Sequence, residues 1–340
     1  MQATIDYGID LGTTNSTIAV QRGLSMEVIS AGYGPLVPSA VHVGANSEIL
    51  VGAAAIERRI ADPGNVATEF KRLMGTSELI QFPASGRRFS PVELSAEVLK
   101  YLCRCTADHR RNVPIEAAVI TIPAMFQLPQ CEATREASKL AGLLHAPLLQ
   151  EPIAAAIASS GSPDLREGYF LIYDLGGGTF DVSLVRSRAG RLQVLDHDGD
   201  NHLGGKDFDR LLARRAAELV RSEGRLGEFR RSIPAFAPAF ELLKVEAERV
   251  RISLSQSETA EFHVDQLVNV DDDRVSVRFV LTRDELEELI RPTILRTTAL
   301  CRRMLERNGL SPAELKRLVL VGGPTLTPCL PSLLESELGI

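Results

Sequence analysis

YGIDLGTTNSTIAV, Tyr7 to Val20, and LIYDLGGGTFDVSLV, Leu171 to Val185, share one design. In each, an apolar run reaches Asp-Leu-Gly, small or hydroxylated residues come next, and a second β-branched run resumes. That order predicts a strand, a tight turn and a second strand, with chemistry at the tip of the hairpin. Glycine allows the backbone to approach a ligand and to present successive N–H groups to an anion. Thr13, Thr14 and Thr179 add hydroxyl donors. Asp10 and Asp174 would repel phosphate unless a cation stands between them, and Mg²⁺ bridges carboxylates to phosphates while keeping part of its water shell. A turn with no ligand explains one Gly-rich copy, but two copies with the same Asp-Leu-Gly centre argue for function. Neither copy is a P-loop or a dinucleotide fingerprint, because no GxxxxGK[ST] occurs and both turns lead into strands. Two such hairpins, one in each half of the chain, are expected to grip a polyphosphate from both sides.

The 340 residues suffice for two compact domains, each with its own core. A net charge of −6 speaks against a nucleic-acid binder, which would track phosphates with a basic excess. No apolar run approaches the roughly 18 residues of a membrane span. MQATIDYG has neither the basic start nor the apolar centre of a signal peptide. The cysteines Cys103, Cys105, Cys131, Cys301 and Cys329 are odd in number and form no CxxC pair. Neither a disulfide frame nor a zinc knuckle is expected, and a cytoplasmic location is the simplest.

Continuous apolar runs at Ala117–Pro123, Tyr169–Gly177 and Arg317–Gly323 predict central strands covered on both faces. Ser90-Pro91-Val92-Glu93, Thr282-Arg283-Asp284-Glu285 and Ser311-Pro312-Ala313-Glu314 are capping boxes that predict helix starts. Cys131–Leu143 and Asp207–Val220 carry apolar residues at helical spacing. Strands alternating with helices give an α/β protein. SSGSPDLRE, Ser159 to Glu167, breaks an Ala-rich helix and divides the chain into halves, each opening on one copy of the hairpin.

With these come FKRLMG (Phe70–Gly75), AVITIPAMF (Ala118–Phe126), QEPIAAAIA (Gln150–Ala158), GDNHLGGKDFD (Gly199–Asp209) and LVLVGGPTLTP (Leu318–Pro328). Together with the two hairpins, in this order, they resemble the ATPase half of the 70-kDa heat-shock chaperones of DnaK type. The segment between Gly75 and Ser90 is short, as in the HscC-like subgroup. The resemblance implies the actin/hexokinase-like ATPase fold, with duplicated ribonuclease H-like lobes around a nucleotide cleft. Lobe I would span 1–163, with a core of 1–39 and 114–163 and a cap of 40–113. Lobe II would span 164–340, with a core of 164–203 and 292–340 and a cap of 204–291.

The resemblance also implies a site for ATP or ADP with Mg²⁺, and K⁺ as a further ion. Asp10 and Asp174 would hold the Mg²⁺ water shell. Gly12, Thr13, Thr14, Asn15 and Gly176, Gly177, Gly178 and Thr179 would bind phosphates. Lys71 would reach the β- and γ-phosphates, and Glu151, Asp174, Thr179 and Asp181 would order the attacking water. Glu248, Arg251 and Ser255 would meet adenosine, with Gly204, Gly205, Gly322, Gly323 and Pro324 around it. Taken singly, Lys71 reads as a solvated helix charge, Glu151 as a complement to a helix dipole, and Glu248 with Arg251 as an i,i+3 pair. Their co-occurrence carries the assignment.

Three positions depart from the family pattern. Leu326 stands where an arginine stacks on adenine, Cys131 where an arginine relays between domains, and Lys206 where an acid is usual; Pro123, the switch proline, is retained. The implied activity is slow ATP hydrolysis that controls the grip on unfolded client peptides. A J-domain co-chaperone and a nucleotide exchange factor are the implied partners. The chain stops at Ile340 inside an unfinished α/β unit, so a piece of a longer protein with a peptide-binding domain beyond it is expected. An actin-like filament ATPase, a small-molecule kinase of the same superfold and a nucleotide sensor with altered coupling are the alternatives. DHDGDNHLGGKD, Asp196 to Asp207, has the alternating acids of a calcium loop but lacks its glycine and final glutamate. VDDDR, Val270 to Arg274, reads as a hairpin turn.

Overall fold

The computed structural model describes residues 5–23, 25–30, 34–106, 114–160, 167–222, 229–230, 232–270 and 273–339. The chain divides into two units, Met1–Gly161 and Ser162–Ile340. Residues 161–166 of the expected boundary and 271–272 of the expected turn lie outside the described residues.

In the first unit, β1 (Tyr7–Asp10) and β2 (Asn15–Arg22) are antiparallel, with Asp10 opposite Thr17. β3 (Ser25–Val28) continues the sheet on one side of this hairpin, and β4 (Val37–Pro38) also pairs with β2. A smaller sheet holds β5 (Ala40–Val43), β6 (Ile49–Val51) and β7 (Val66–Thr68), and β8 (Ile80–Phe82) with β9 (Arg87–Phe89) forms a ribbon. On the other side of the main sheet, β10 (Val119–Ile122) runs parallel to β1, and β11 (Leu148–Gln150) runs parallel to β10. The helices are α1 (Ala53–Ala61), α2 (Pro91–Cys105), α3 (Leu128–Leu140) and α4 (Glu151–Ser160). Ile9, Ile18 and Ile120 from the sheet and Leu94, Val98 and Leu99 from α2 share one buried cluster. The Ser90–Glu93 box is formed in both directions at the start of α2.

The second unit repeats the central plan. β12 (Gly168–Leu175) and β13 (Phe180–Arg188) make the hairpin, with Asp174 opposite Asp181. β14 (Arg191–Asp200) extends it antiparallel, and β17 (Leu315–Val321) lies parallel to β12, giving the order β14-β13-β12-β17. Leu184 faces Asp196 while Val185 faces Val194, so Leu195 is the extra residue of a β-bulge in the outermost strand. Between these strands stand α5 (Gly205–Ser222), α6 (Ala237–Leu254), the antiparallel pair β15 (Thr259–Val270) and β16 (Asp273–Thr282), and α7 (Arg283–Arg307); α8 (Cys329–Leu338) closes the unit. Tyr173, Phe180, Phe208, Leu243 and Ile290 lie in its core.

Two expectations change. The box at Ser311 forms but heads a single 3₁₀ turn, Pro312–Glu314, because Leu315 is already extended at φ −72° and ψ 132° and starts β17. That strand is an edge, with several half-exposed side chains, where its apolar run predicts cover on both faces. None of the five cysteines is in a disulfide; burial pushes the Cys103 thiol up to about 11 and the Cys301 thiol up to about 12. No helix among the described residues is long and apolar enough to cross a membrane.

Candidate functional site

Each unit presents its hairpin tip in a framework of local bonds. In the first, Asp10 ends β1 exposed, and its Oδ1 accepts a hydrogen bond from Thr121 Oγ1 on β10 at 2.6 Å. The Gly12 N–H donates to Ser16 Oγ at 3.2 Å, and Ser39 Oγ donates to the Gly12 carbonyl at 2.7 Å. The two serine hydroxyls are 2.9 Å apart and buried, and the Ser39 N–H donates to the Thr14 carbonyl at 2.8 Å. A Cβ on Gly12 would collide with the Asn15 carbonyl, so only glycine fits this turn. Thr13, Thr14 and Asn15 occupy the remainder of the tip.

Lys71 sits on the 3₁₀ turn Phe70–Leu73, entered through Glu69 in the left-handed region at φ 60°. A non-glycine residue there is uncommon, and such strain clusters at functional positions. The Lys71 side chain is 5% exposed, contrary to the solvated-charge reading. Its Nζ donates to Glu151 Oε1 at 2.8 Å and lies 5.7 Å from the centre of the Phe126 ring. Glu151 opens α4, where the helix N-terminus favours its charge. A buried ammonium is tolerated only with such a partner. Cys131 is half-buried on α3, with its Sγ 3.9 Å from the Phe126 carbonyl oxygen.

In the second unit, Asp174 stands next to the end of β12 and Asp181 next to the start of β13, flanking the Gly176–Thr179 turn. The Gly176 N–H donates to the Thr179 carbonyl at 2.8 Å. The start of α5 is docked on this turn: Gly205 N–H donates to the Gly176 carbonyl at 3.0 Å and Lys206 N–H to the Gly177 carbonyl at 2.7 Å. Gly204 N–H donates to Asp207 Oδ2 at 2.9 Å. A Cβ on Gly204 would stand 2.6 Å from the Gly178 nitrogen, so this glycine serves the close contact between the two segments. Gly322, at φ 93°, leads from β17 into the turn Gly323–Leu326, in which Pro324 is buried and Leu326 is 72% exposed.

Arg251 on α6 is 10% exposed and bound to Asp209, while Glu248 is 57% exposed and Ser255 caps the end of the helix. Thus Arg251 is held by Asp209 at 2.6 Å in preference to the i,i+3 contact with Glu248 at 3.9 Å. Thr121, Ser16, Ser39 and Asp209 did not figure among the sequence candidates. The acids of the calcium-like stretch are occupied by arginines: Arg307 binds Asp196 and Asp198 at 2.6 Å each, and Arg296 binds Asp200 at 2.8 Å. Among the described residues no group of three or more His, Cys, Asp or Glu gathers to hold a metal directly.

The two hairpins fit a phosphate ligand chemically: each joins an acidic strand end to a turn of small or hydroxylated residues, and position 12 admits no side chain. A family model described as Hsp70 protein matches residues 6–339. A chaperone protein HscA homolog from Mannheimia succiniciproducens is 36% identical, over 96% of this chain and 53% of that protein. A chaperone protein DnaK from Mycoplasma mobile is 34% identical, over 97% of this chain and 54% of that protein. An HscA homolog from Bordetella petrii is 37% identical, over 96% and 53% respectively. The chain therefore spans about half the length of the curated relatives it matches. It belongs to the Hsp70 family and corresponds to that family's nucleotide-binding domain, which has the actin/hexokinase-like ATPase fold.

Proposed function

We propose that this chain binds ATP with Mg²⁺ and hydrolyses it slowly to ADP and phosphate, as the nucleotide-binding domain of a DnaK-type chaperone. The observation that carries the reading is the Lys71–Glu151 pair, a lysine 5% exposed and held at 2.8 Å in the unit whose tip bears Asp10 and Gly12. A buried cation fixed by a single carboxylate is suited to neutralising phosphate charge, and phosphoryl transfer to water is governed by positioning and charge.

In this proposal Asp10 and Asp174 hold the Mg²⁺ water shell, and the bound ion supplies further neutralisation of the phosphates. Thr13, Thr14, Asn15 and the Gly176–Thr179 turn receive the phosphates. Glu151, Thr179 and Asp181 orient the attacking water, Glu151 also holding Lys71 in place. Arg251, Glu248 and Ser255 face the nucleoside, with Gly322, Gly323 and Pro324 beside it; K⁺ belongs to the same proposal. So do a cytoplasmic setting, the core and cap boundaries, the HscC-like grouping, client peptides, a J-domain co-chaperone and an exchange factor.

Mg²⁺-dependent phosphate release tests the reading. Asp10→Asn and Lys71→Ala are each expected to lower the rate by about a hundredfold or more, the usual loss when one aligned electrostatic group is removed. Wild-type protein that neither binds nor hydrolyses ATP in the presence of Mg²⁺ would overturn it.

A further inference from the structure

Three elements of the second unit converge on Gly205, at the start of α5. A Cβ there would stand 2.8 Å from Pro324 Cγ, in the Gly323–Leu326 turn, and 3.4 Å from Arg251 Nη2 on α6. Arg251 reaches that position through Asp209, one turn further along α5. Arg251 Nε donates to Asp209 Oδ1 at 2.6 Å and Nη2 to Oδ2 at 3.3 Å. Two parallel prongs fix both the place and the plane of a guanidinium. The Asp209 and Arg251 side chains are 6% and 10% exposed, so neither can exchange its partner for bulk water.

We propose that Asp209 is a positioning residue for nucleotide binding: its carboxylate locks the Arg251 guanidinium against Gly205, where a nucleoside is received, and loss of its charge releases that lock. The inference rests on the nucleotide-binding reading above and adds to it a residue and a pH dependence. A guanidinium stays charged across the range in which carboxylates titrate, so the switch lies in Asp209. Burial raises the Asp209 pKa, the Arg251 charge and hydrogen bonds oppose that rise, Glu248 adds to it and Lys206 opposes it; the result is about 6. The Gly323–Leu326 turn contributes no ionisable side chain. Above that pH the ionised carboxylate holds Arg251; below it the protonated acid offers one acceptor fewer and no charge.

The test measures ADP and inorganic pyrophosphate binding by calorimetry, with Mg²⁺, between about pH 7.5 and about pH 5. Pyrophosphate shares the phosphate titration but carries no nucleoside, so the ratio of the two affinities isolates the nucleoside contacts. Binding that requires the ionised form weakens with its fraction, and the wild-type ratio is expected to fall about tenfold over this range. In Asp209→Asn the ratio is expected to lie about tenfold below wild type at the upper pH and to be flat, with Arg251→Ala causing no further loss. A flat wild-type ratio, or a slope retained in Asp209→Asn, overturns the inference. The wild-type ratio decides the matter even if the asparagine variant fails to fold. No ADP binding by wild type at any pH would sink the nucleotide reading itself, whereas ADP binding with a flat ratio sinks only the role of Asp209.

Discussion

Leu326 is a single exposed side chain whose type bears on the proposed nucleotide site and not on the fold. It is 72% exposed on the turn that carries Pro324, where the family resemblance places an arginine over adenine. A leucine offers apolar contact to a base, while a guanidinium adds about 0.5–1 kcal/mol of cation–π attraction at an exposed site. Leu326→Arg is therefore expected to tighten ADP binding about two- to fivefold while leaving pyrophosphate binding unchanged, as read by calorimetry. The sequence motifs made the residues of the hairpin tips legible, because their types and spacing are tied to phosphate chemistry. Ser39, Thr121 and Asp209 were not legible, because each acts on a neighbour brought close only by the fold, and Ser16 meets Ser39 in the same way. Lys71 was half legible: its motif marked it, but only the packed 3₁₀ turn shows its ammonium enclosed with Glu151.

At the level of elements, a capping box marks where a backbone turns helical and leaves the length of the helix to the residues downstream. Thr282 Oγ1 accepts from the Glu285 N–H at 3.2 Å, and the backbone N–H groups of Thr282 and Ser311 donate to the Glu285 and Glu314 carboxylates. Behind Thr282 runs α7, whose Leu286, Ile290 and Ile294 are buried one after another. Behind Ser311 the β-branched and leucine run of β17 joins the sheet beside β12 within one turn, and strand pairing wins over helix propagation. Thr282→Ala is expected to cost about 1 kcal/mol of stability and Ser311→Ala only a few tenths, since the latter caps one turn. Urea unfolding midpoints of the two variants give the comparison directly.

For the molecule as a whole, the repeated hairpin proves to be the centre of a repeated sheet plan. In each unit an antiparallel strand flanks the hairpin on one side and a parallel strand on the other, β3 and β10 in the first, β14 and β17 in the second. Duplication was legible from the two Asp-Leu-Gly stretches; which strands form the edges was not, since an apolar run looks alike at the centre and at the rim. Helix α7 is tied to β14 by arginines, and Arg307 draws the Asp196 carboxyl below its ordinary value of 3.8. An acid held low stabilises the fold above its unfolded value and ceases to do so as pH falls through its folded value. Arg307 is 41% exposed and Asp196 25%, so screening limits the contribution to about 1 kcal/mol. Arg307→Ala is expected to be less stable than wild type by that amount at neutral pH, with the gap closing as pH falls below the ordinary carboxylate value in urea titrations.

The bulge at Leu195 has a bearing on how the protein behaves when crowded. An outermost strand of ten residues, Arg191–Asp200, is long enough to recruit a stray chain along its free edge, where the His197 and Gly199 N–H groups are already held by Asp196 and Asp198 and the His197 carbonyl by Arg307. One surplus residue near its middle bends that rim and breaks the even spacing a recruit would need. The irregularity thus works against edge-to-edge pairing with a further strand.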